Sequence, residues 1–265
     1  MLEIIHESRT AIKLSFRQAH LLAFKAAGNQ DGFVIIALAN IKGGVSKSTL
    51  AVHLSTWLEE QGHRVILADC DTQQSSSEWA TEAIPNVRTV RLADPNEILN
   101  EIPQLGQECD YLVADGPGSN SEISRALLLR ADVALVPCKA SMLEVRSLSK
   151  ATEVLRQAQE IRSGMPESRL ILTMVREQYR LTGDMKKTAK ALGFQIARRS
   201  LTLRQIYADA PGQGTVVWKM ETQDHRAQQK ATEEVWALFR ELFPKAIRSS
   251  RKQSRKRTPV NLIPA

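Results

Sequence analysis

The sequence predicts an α/β fold: a doubly wound, mostly parallel sheet flanked by helices. Three observations carry that expectation. Short apolar runs alternate along the chain with stretches of helical spacing, and strands joined through helices lie parallel. The first run, Phe33-Val34-Ile35-Ile36-Ala37-Leu38, leads into a glycine-containing loop that ends in Lys47-Ser48 at the start of a helical segment. Two later runs end in carboxylates, Asp69 and Asp115, which a parallel sheet brings out at the edge where that loop lies. A chain of 265 residues with 43% apolar content is long enough for one such domain with a proper core.

Residues 1–32 hold one expected helix, over 10–27, with Thr10 as N-cap and Gly28 as stop; Ile12, Phe16, Ala19 and Ala23 share a face. It reads as a helical extension packed on the main domain at 33–244. There the strand at 33–38 is followed by Ala39-Asn40-Ile41-Lys42-Gly43-Gly44-Val45-Ser46-Lys47-Ser48-Thr49 and a helix over 48–61 stopped by Gly62. This is the layout of a phosphate-binding loop, and it gives the fold its P-loop NTPase type. Backbone N–H groups wrapped on a helix N-terminus point at one spot, where unpaired donors and the helix dipole favour an anion. Gly43, Gly44, Val45, Ser46, Lys47, Ser48 and Thr49 are the expected nucleotide cradle. Within it Lys47 would neutralise the β- and γ-phosphates of ATP and Ser48 would take a place on Mg²⁺. Against the general GxxxxGK[ST] pattern, Ile41 and Ser46 replace the flanking glycines. If the second position needs a positive φ, a serine there costs roughly 1–2 kcal/mol.

The next strand, over 64–68, completes a βαβ unit and delivers Asp69-Cys70-Asp71-Thr72-Gln73 beside the phosphates. A helix over 78–83, a strand over 87–92 and a short helix over 95–102 follow, with Pro103 expected to end the last. Then Tyr111-Leu112-Val113-Ala114-Asp115 runs into Gly116-Pro117-Gly118. Beyond it come a helix over 121–130, a strand over 132–137, and a helix from Ser141 to about 161 with a capping-box Glu144. A strand over 170–175, a helix over 182–192 and a last helix over 231–243 close the series. Val235, Leu238, Phe239 and Leu242 form the apolar face of that last helix, read as packed on the sheet.

Lys42-Gly43-Gly44-Val45-Ser46-Lys47-Ser48-Thr49 resembles the deviant Walker A box of the ParA/MinD ATPases, KGGVGKTT. Asp69-Cys70-Asp71-Thr72-Gln73 is similar to the family's DxDPQ, and Asp115-Gly116-Pro117 to its D[TG]PP. The segment from Ser200 to Val217 resembles the family's R-x-x-x-x-x-A…G-x-x-V signature. The resemblance covers about 33–243 and is closest to the small ParA-type partition proteins. It implies an Mg²⁺-dependent, partner-stimulated ATPase in which Lys42 reaches the nucleotide of a second subunit, so that ATP is sandwiched in a homodimer. It further implies that Asp71 orients the attacking water, that Asp69 supports the magnesium shell and that Asp115 holds Mg²⁺ through a water. Arg204 matches a position that contacts DNA in some relatives; a salt-bridged interface arginine is the equal alternative. A centromere-binding or cargo adaptor protein is the partner the resemblance implies.

The charge supports DNA independently. The net charge is +7, and seven of the 36 Lys and Arg lie between Lys245 and Arg257 with no acid among them. Without those seven, basic residues only equal the 29 Asp and Glu. The basic segment 245–265 is expected to be disordered in the free protein. Its Arg251, Lys252, Arg255, Lys256 and Arg257, with Arg198, Arg199 and Arg204 in the body, are the expected contacts to DNA phosphates. A solvated solubility tail is the bland alternative. Three cysteines without CxxC spacing and five scattered histidines read as buried thiols and no metal cage. Apolar runs too short to span a membrane and an N-terminus without a signal pattern give a cytoplasmic, nucleoid-associated expectation. Two other functions stay open: a MinD-like membrane-surface ATPase using an amphipathic helix around Trp236, and a nucleotide-binding scaffold with little hydrolysis.

Overall fold

The computed structural model describes residues 32–40, 42–119, 121–139, 153–176, 187–191 and 194–247. Its elements run β1 (Val34–Leu38), α1 (Lys47–Glu60), β2 (Val65–Asp69), α2 (Ser75–Ala83), β3 (Arg88–Arg91), α3 (Pro95–Gln107), β4 (Tyr111–Asp115), α4 (Glu122–Arg130), β5 (Val133–Lys139), β6 (Glu167–Thr173), α5 (Ile206–Gly212), a 3-10 turn (Val217–Lys219) and α6 (His225–Leu242). Residues 153–161 and 187–191 are also helical. The six strands form one sheet in the order β3-β2-β4-β1-β5-β6, every neighbouring pair parallel. All six expected strands are present. The chain leaves β1 toward β2 on one side and reaches β5 on the other, so the crevice at the carboxyl end of β1 is the place where such folds bind ligands.

Alternation along the strands divides the core between the two faces. Ile36, Leu38, Leu67, Val113 and Leu135 pack against Leu50, Leu54 and Trp57 of α1 and Val235, Leu238 and Phe239 of α6. Ile35, Ala37, Ile66, Leu112 and Ala114 face Ile98, Ile102 and Leu105 of α3 and Ala126 and Leu127 of α4. The apolar face of α6 is therefore spent on the sheet, as its spacing suggested, which leaves it unavailable to a membrane surface. No helix among the described residues is long and apolar enough to cross a membrane.

Three expectations need correction. Helix α3 does not stop before Pro103 but runs through it to Gln107. Proline there removes the hydrogen bond to the Leu99 carbonyl, at about 3 kcal/mol in a helix interior, yet Ile98, Ile102 and Leu105 are all buried on the sheet and hold the helix together. Helix α6 begins at His225, six residues before the expected Ala231. Its buried stripe starts only at Ala231, so the earlier turns carry no apolar period; Asp224 caps them by accepting from the Ala227 N–H at 2.9 Å. Helix α5, with Pro211 inside it, was not expected at all. The expected helix over 10–27, the capping box at Ser141 and Glu144, most of the helix over 182–192, and tail residues Arg251, Lys252, Arg255, Lys256 and Arg257 lie outside the described residues.

Candidate functional site

The loop after β1 is tied to two distant strands, once through its own Asn40 and once through Thr173. Asn40 donates its amide to the Pro137 carbonyl at 2.5 Å and accepts from the Lys42 N–H at 3.1 Å. From the end of β6, Thr173 donates its hydroxyl to the Val45 carbonyl at 3.1 Å. The backbone turns left-handed at Gly44 (φ 69°), between those two struts, and again at Ser46 (φ 75°), just past the second, so Ser46 occupies a conformation suited to glycine. The opposing loop leaves no room for side chains: a Cβ on Gly118 would stand 2.9 Å from the Gly43 Cα, and one on Gly116 2.8 Å from the Leu38 carbonyl oxygen.

Lys47, the first residue of α1, is only 7% exposed and donates its ammonium to the Lys42 carbonyl at 3.0 Å. Burial lowers its pKa, while the neighbouring carboxylates of Asp115 and Asp71 pull it back up. The structure thus brings Lys47 together with Asp71 and Asp115, two of the three carboxylates expected at the site. Asp115 is 1% exposed, and neither of its oxygens has a hydrogen-bond partner. Burial pushes its carboxyl up to about 7; the hydroxyls of Ser48 and Ser76 stand close enough to hold it down, short of normal hydrogen-bond geometry, Asp69 raises it and Lys47 lowers it.

Asp69 lies opposite Asp115 in the β2–β4 register but is engaged differently. Its oxygens accept the Asp71 N–H at 3.1 Å and the Ser77 N–H at 2.7 Å, which shapes the turn and anchors the start of α2. Asp71 is half-buried, and one of its oxygens accepts the Gln73 N–H at 3.1 Å. Lys42 is half-buried at the loop, whereas Thr72 and Gln73 are exposed. The donor set around Asp115 fits a hard cation: two unpartnered carboxylate oxygens beside a serine hydroxyl suit Mg²⁺, which keeps several waters.

Sequence reasoning missed His53. Buried in α1, it donates from Nδ1 to the Thr49 carbonyl (2.7 Å) and accepts at Nε2 from the Val217 N–H (3.2 Å), a pattern that fixes its tautomer as neutral Nδ1–H. The rings of Trp79, Tyr207 and Trp218 meet it edge-on, and burial pulls its pKa down to about 4. His53 ties the first turn of α1 to the 3-10 turn of the C-terminal segment. Only its apolar setting in Thr49-Leu50-Ala51-Val52-His53-Leu54 could have marked it.

The family model described as CobQ/CobB/MinD/ParA nucleotide binding domain matches residues 36–217, which include the loop and both carboxylate turns and end at Val217, the residue whose N–H His53 accepts. The chain belongs to this ParA/MinD family. Among similar proteins in the family, the maintenance of carboxysome distribution protein A of Halothiobacillus neapolitanus is 25% identical over 214 residues, 79% of this chain and 96% of that protein. Protein ParA of Rhizobium radiobacter is 26% identical over 179 residues, 66% of this chain and 80% of that protein. In fold, the chain resembles the MinD cell division protein of Aquifex aeolicus (TM-score 0.63, 16% identity, 82% of this chain and 100% of that one). A Cyanothece McdA complex with ATP is similar at TM-score 0.60 and 17% identity, covering 78% of this chain and 97% of that one. The ParA/MinD family is thus one of nucleotide-binding ATPases with partition and carboxysome-positioning members.

In this ParA/MinD chain the three body arginines border one open groove of about 850 Å³, together with Lys230 and Arg240. Arg204 is ion-paired to Glu234, with Nη2 2.5 Å from Oε1. Arg198 and Arg199 give their backbone N–H groups to Glu241, and the Arg198 side chain is 88% exposed. The structure therefore gathers all three but pairs Arg204 with Glu234 and sets Arg198 Nε 3.7 Å from Glu241 Oε1, and Glu233 and Glu234 offset part of the positive charge on the same wall.

Proposed function

We propose that the chain is an Mg²⁺-dependent, ParA-type ATPase that dimerises around ATP, binds DNA without sequence preference, and segregates DNA or positions a cargo with a centromere-binding or adaptor protein. The observation that carries the reading is the convergence of Lys47, Asp71 and the buried, unpartnered Asp115 where β1, β2 and β4 end. Amides of Gly43, Gly44, Val45, Ser46 and Thr49 cradle the phosphates, and Lys47 gives up its bond to the Lys42 carbonyl to neutralise them. Ser48 and Asp115 would hold Mg²⁺, with Asp69 supporting the shell from behind by fixing the turn. When bound, the metal would offset charge on the β- and γ-phosphate oxygens. Asp71 orients the water that attacks the γ-phosphate, and Lys42 completes the site of a second copy. The names of two relatives, the carboxysome distribution protein and the chromosome-partitioning ATPase Soj of Thermus thermophilus, support DNA or cargo positioning in the cytoplasm, on the nucleoid.

The division of the chain belongs to the same proposal: 1–32 a helical extension, 33–244 the ATPase domain, and 245–265 a basic tail. Arg198, Arg199 and Arg204 with the tail's Arg251, Lys252, Arg255, Lys256 and Arg257 supply the cations for DNA. Removing one such cation from its phosphate lowers the slope of log K against log salt by about 0.9.

The test is steady-state ATP hydrolysis with DNA, joined to sedimentation with a non-hydrolysable ATP analogue. Asp71→Ala is expected to cut turnover about a hundredfold while the analogue still yields a dimer. Unchanged turnover removes Asp71 from the water-orienting role, and a chain that stays monomeric removes the shared site. Arg198→Ala with Arg199→Ala is expected to flatten the salt slope of DNA binding by about 2. A second reading, a nucleotide-binding scaffold with little turnover, draws on the left-handed Ser46 in the loop. It prevails if wild type binds the analogue but DNA and Ser46→Gly both fail to raise hydrolysis.

A further inference from the structure

Where β4 meets α2, three buried oxygens lack a hydrogen-bond partner: both carboxylate oxygens of Asp115 and the hydroxyl of Ser76. Ser76 is fully buried, at 0% exposure. Its hydroxyl adjoins the Asp115 carboxylate, as does that of Ser48 from the first turn of α1. A buried hydroxyl ordinarily finds a partner in its own helix, and the neighbours of Ser76 do so. Ser77 donates to the Gln74 carbonyl at 3.0 Å and Thr81 to the Ser77 carbonyl at 2.9 Å. Ser76 makes no such bond.

Its position is also fixed by a charge. Asp69 Oδ2 accepts the N–H of the very next residue, Ser77, at 2.7 Å, and Asp69 stands beside Asp115 in the sheet register. The carboxylate that anchors the first turn of α2 therefore sets Ser76 against Asp115. Packing alone would be served as well by alanine there, without the cost of a desolvated hydroxyl.

We propose that Ser76 is a magnesium-shell residue: its hydroxyl accepts a hydrogen bond from a water of the Mg²⁺ held between Ser48 and Asp115, and donates in turn to Asp115. Mg²⁺ retains several waters when bound by a protein, and each brings two O–H donors that need acceptors in a dry site. A serine hydroxyl can accept and donate at once, so Ser76 both completes the shell and orients Asp115. Because α2 follows directly on the Asp71 turn, this bond makes the start of α2 respond to metal. The inference rests on reading the site as one for magnesium and nucleotide.

The experiment measures binding of a fluorescent ATP analogue to the full-length protein as MgCl₂ is titrated, in parallel with binding in EDTA and with thermal melting free of metal and nucleotide. Ser76→Ala is expected to raise the Mg²⁺ half-saturation about tenfold, the lower end for loss of an outer-shell partner. Binding in EDTA stays within about twofold of wild type, and the metal-free melt, taken well below pH 7 where Asp115 keeps its proton, is not lowered, since no internal bond is lost. Ser55→Ala is the control: Ser55, in α1, is another fully buried serine without a partner, and its loss should leave the Mg²⁺ titration unchanged. If Asp115→Asn shifts the titration but Ser76→Ala does not, or if Ser55→Ala shifts it equally, the shell role of Ser76 is overturned. If neither Asp115→Asn nor Ser76→Ala shifts it, the magnesium site itself is misread.

Discussion

Replacing Ser46 by glycine should stabilise the nucleotide-free protein. Ser46 sits at φ 75° and ψ 28°, left-handed, directly before α1, and its hydroxyl caps nothing. What it contributes is a carbonyl that accepts the Leu50 N–H at 3.0 Å, and glycine supplies the same carbonyl. An L-residue in this region costs roughly 1–2 kcal/mol, which glycine avoids. Glycine in turn loses more backbone freedom on folding, about 0.5–1 kcal/mol. The difference is a gain of about 0.5–1 kcal/mol, or a rise of roughly 1–4 °C in melting temperature for a chain of this size. Reversible thermal or urea melts of wild type, Ser46→Gly and Ser46→Ala measure it. Alanine keeps the Cβ and loses only an idle hydroxyl, so it should stay within a few tenths of a kcal/mol of wild type. A lower or unchanged melting point for Ser46→Gly refutes the strain argument. An equal gain for Ser46→Ala assigns the effect to desolvation of the hydroxyl instead.

The buried titratable groups give two further expectations. The native Asp115 carboxyl is pushed up to about 7 from its ordinary 3.8, so the native state holds its proton more tightly than the unfolded chain. The resulting destabilisation sets in as pH rises through that window and reaches about 4 kcal/mol above it. Asp115→Asn should therefore gain stability over wild type at pH 8 and lose that advantage toward pH 4; a difference independent of pH refutes the assignment. His53 has the opposite sign: its native pKa is pulled down to about 4 from 6.5, so its contribution is present above pH 6.5 and declines by about 3 kcal/mol as pH falls toward 4. His53→Gln should remove that decline and leave stability falling with rising pH through the buried carboxyls Asp115 and Asp132, both raised by burial, as measured by urea melts between pH 4 and 8. A melt series parallel to wild type would show that His53 does not titrate there.

Five of the six strands were legible as short apolar runs closed by a turn or a carboxylate, a composition that burial on both faces of a parallel sheet demands. The edge strand β3, with Arg88 and Arg91 exposed, was legible only by the pattern of Val87, Thr89, Val90 and Leu92. The site was legible for the same reason that it forms: in a parallel sheet everything following a strand's carboxyl end is delivered to one edge, so residues 39–49, 69–71 and 115–118 had to meet. Helix ends were less legible. Pro103 is a strong local stop signal, but three apolar side chains on the sheet outweigh it. The first turns of α6 carry no apolar period because they face solvent, and only Asp224 marks their start. Local pattern could not show that Arg204 is paired to Glu234, thirty residues on, in α6.

The residues that shape the site without appearing in any motif have one property in common: each bonds a backbone group far away in sequence. Asn40 reaches Pro137, Thr173 reaches Val45, and His53 reaches Val217, across separations of 97, 128 and 164 residues. Backbone carbonyls and amides carry no side-chain signature, so neither spacing nor composition can announce such bonds. They nevertheless explain why an unfavourable backbone persists at Ser46. A left-handed serine is kept only where its surroundings leave no alternative, and here Asn40 fixes the entry to the loop, Thr173 fixes its apex at Val45, and the α1 ladder begins at Ser46 itself. The struts come from the ends of β5 and β6, on the side of β1 away from Asp69, so the loop is braced from one side while the carboxylates approach from the other. Strain and preorganisation are then one arrangement: the bracing that holds Ser46 out of its preferred conformation also keeps Lys47 beside Asp115 before any nucleotide arrives.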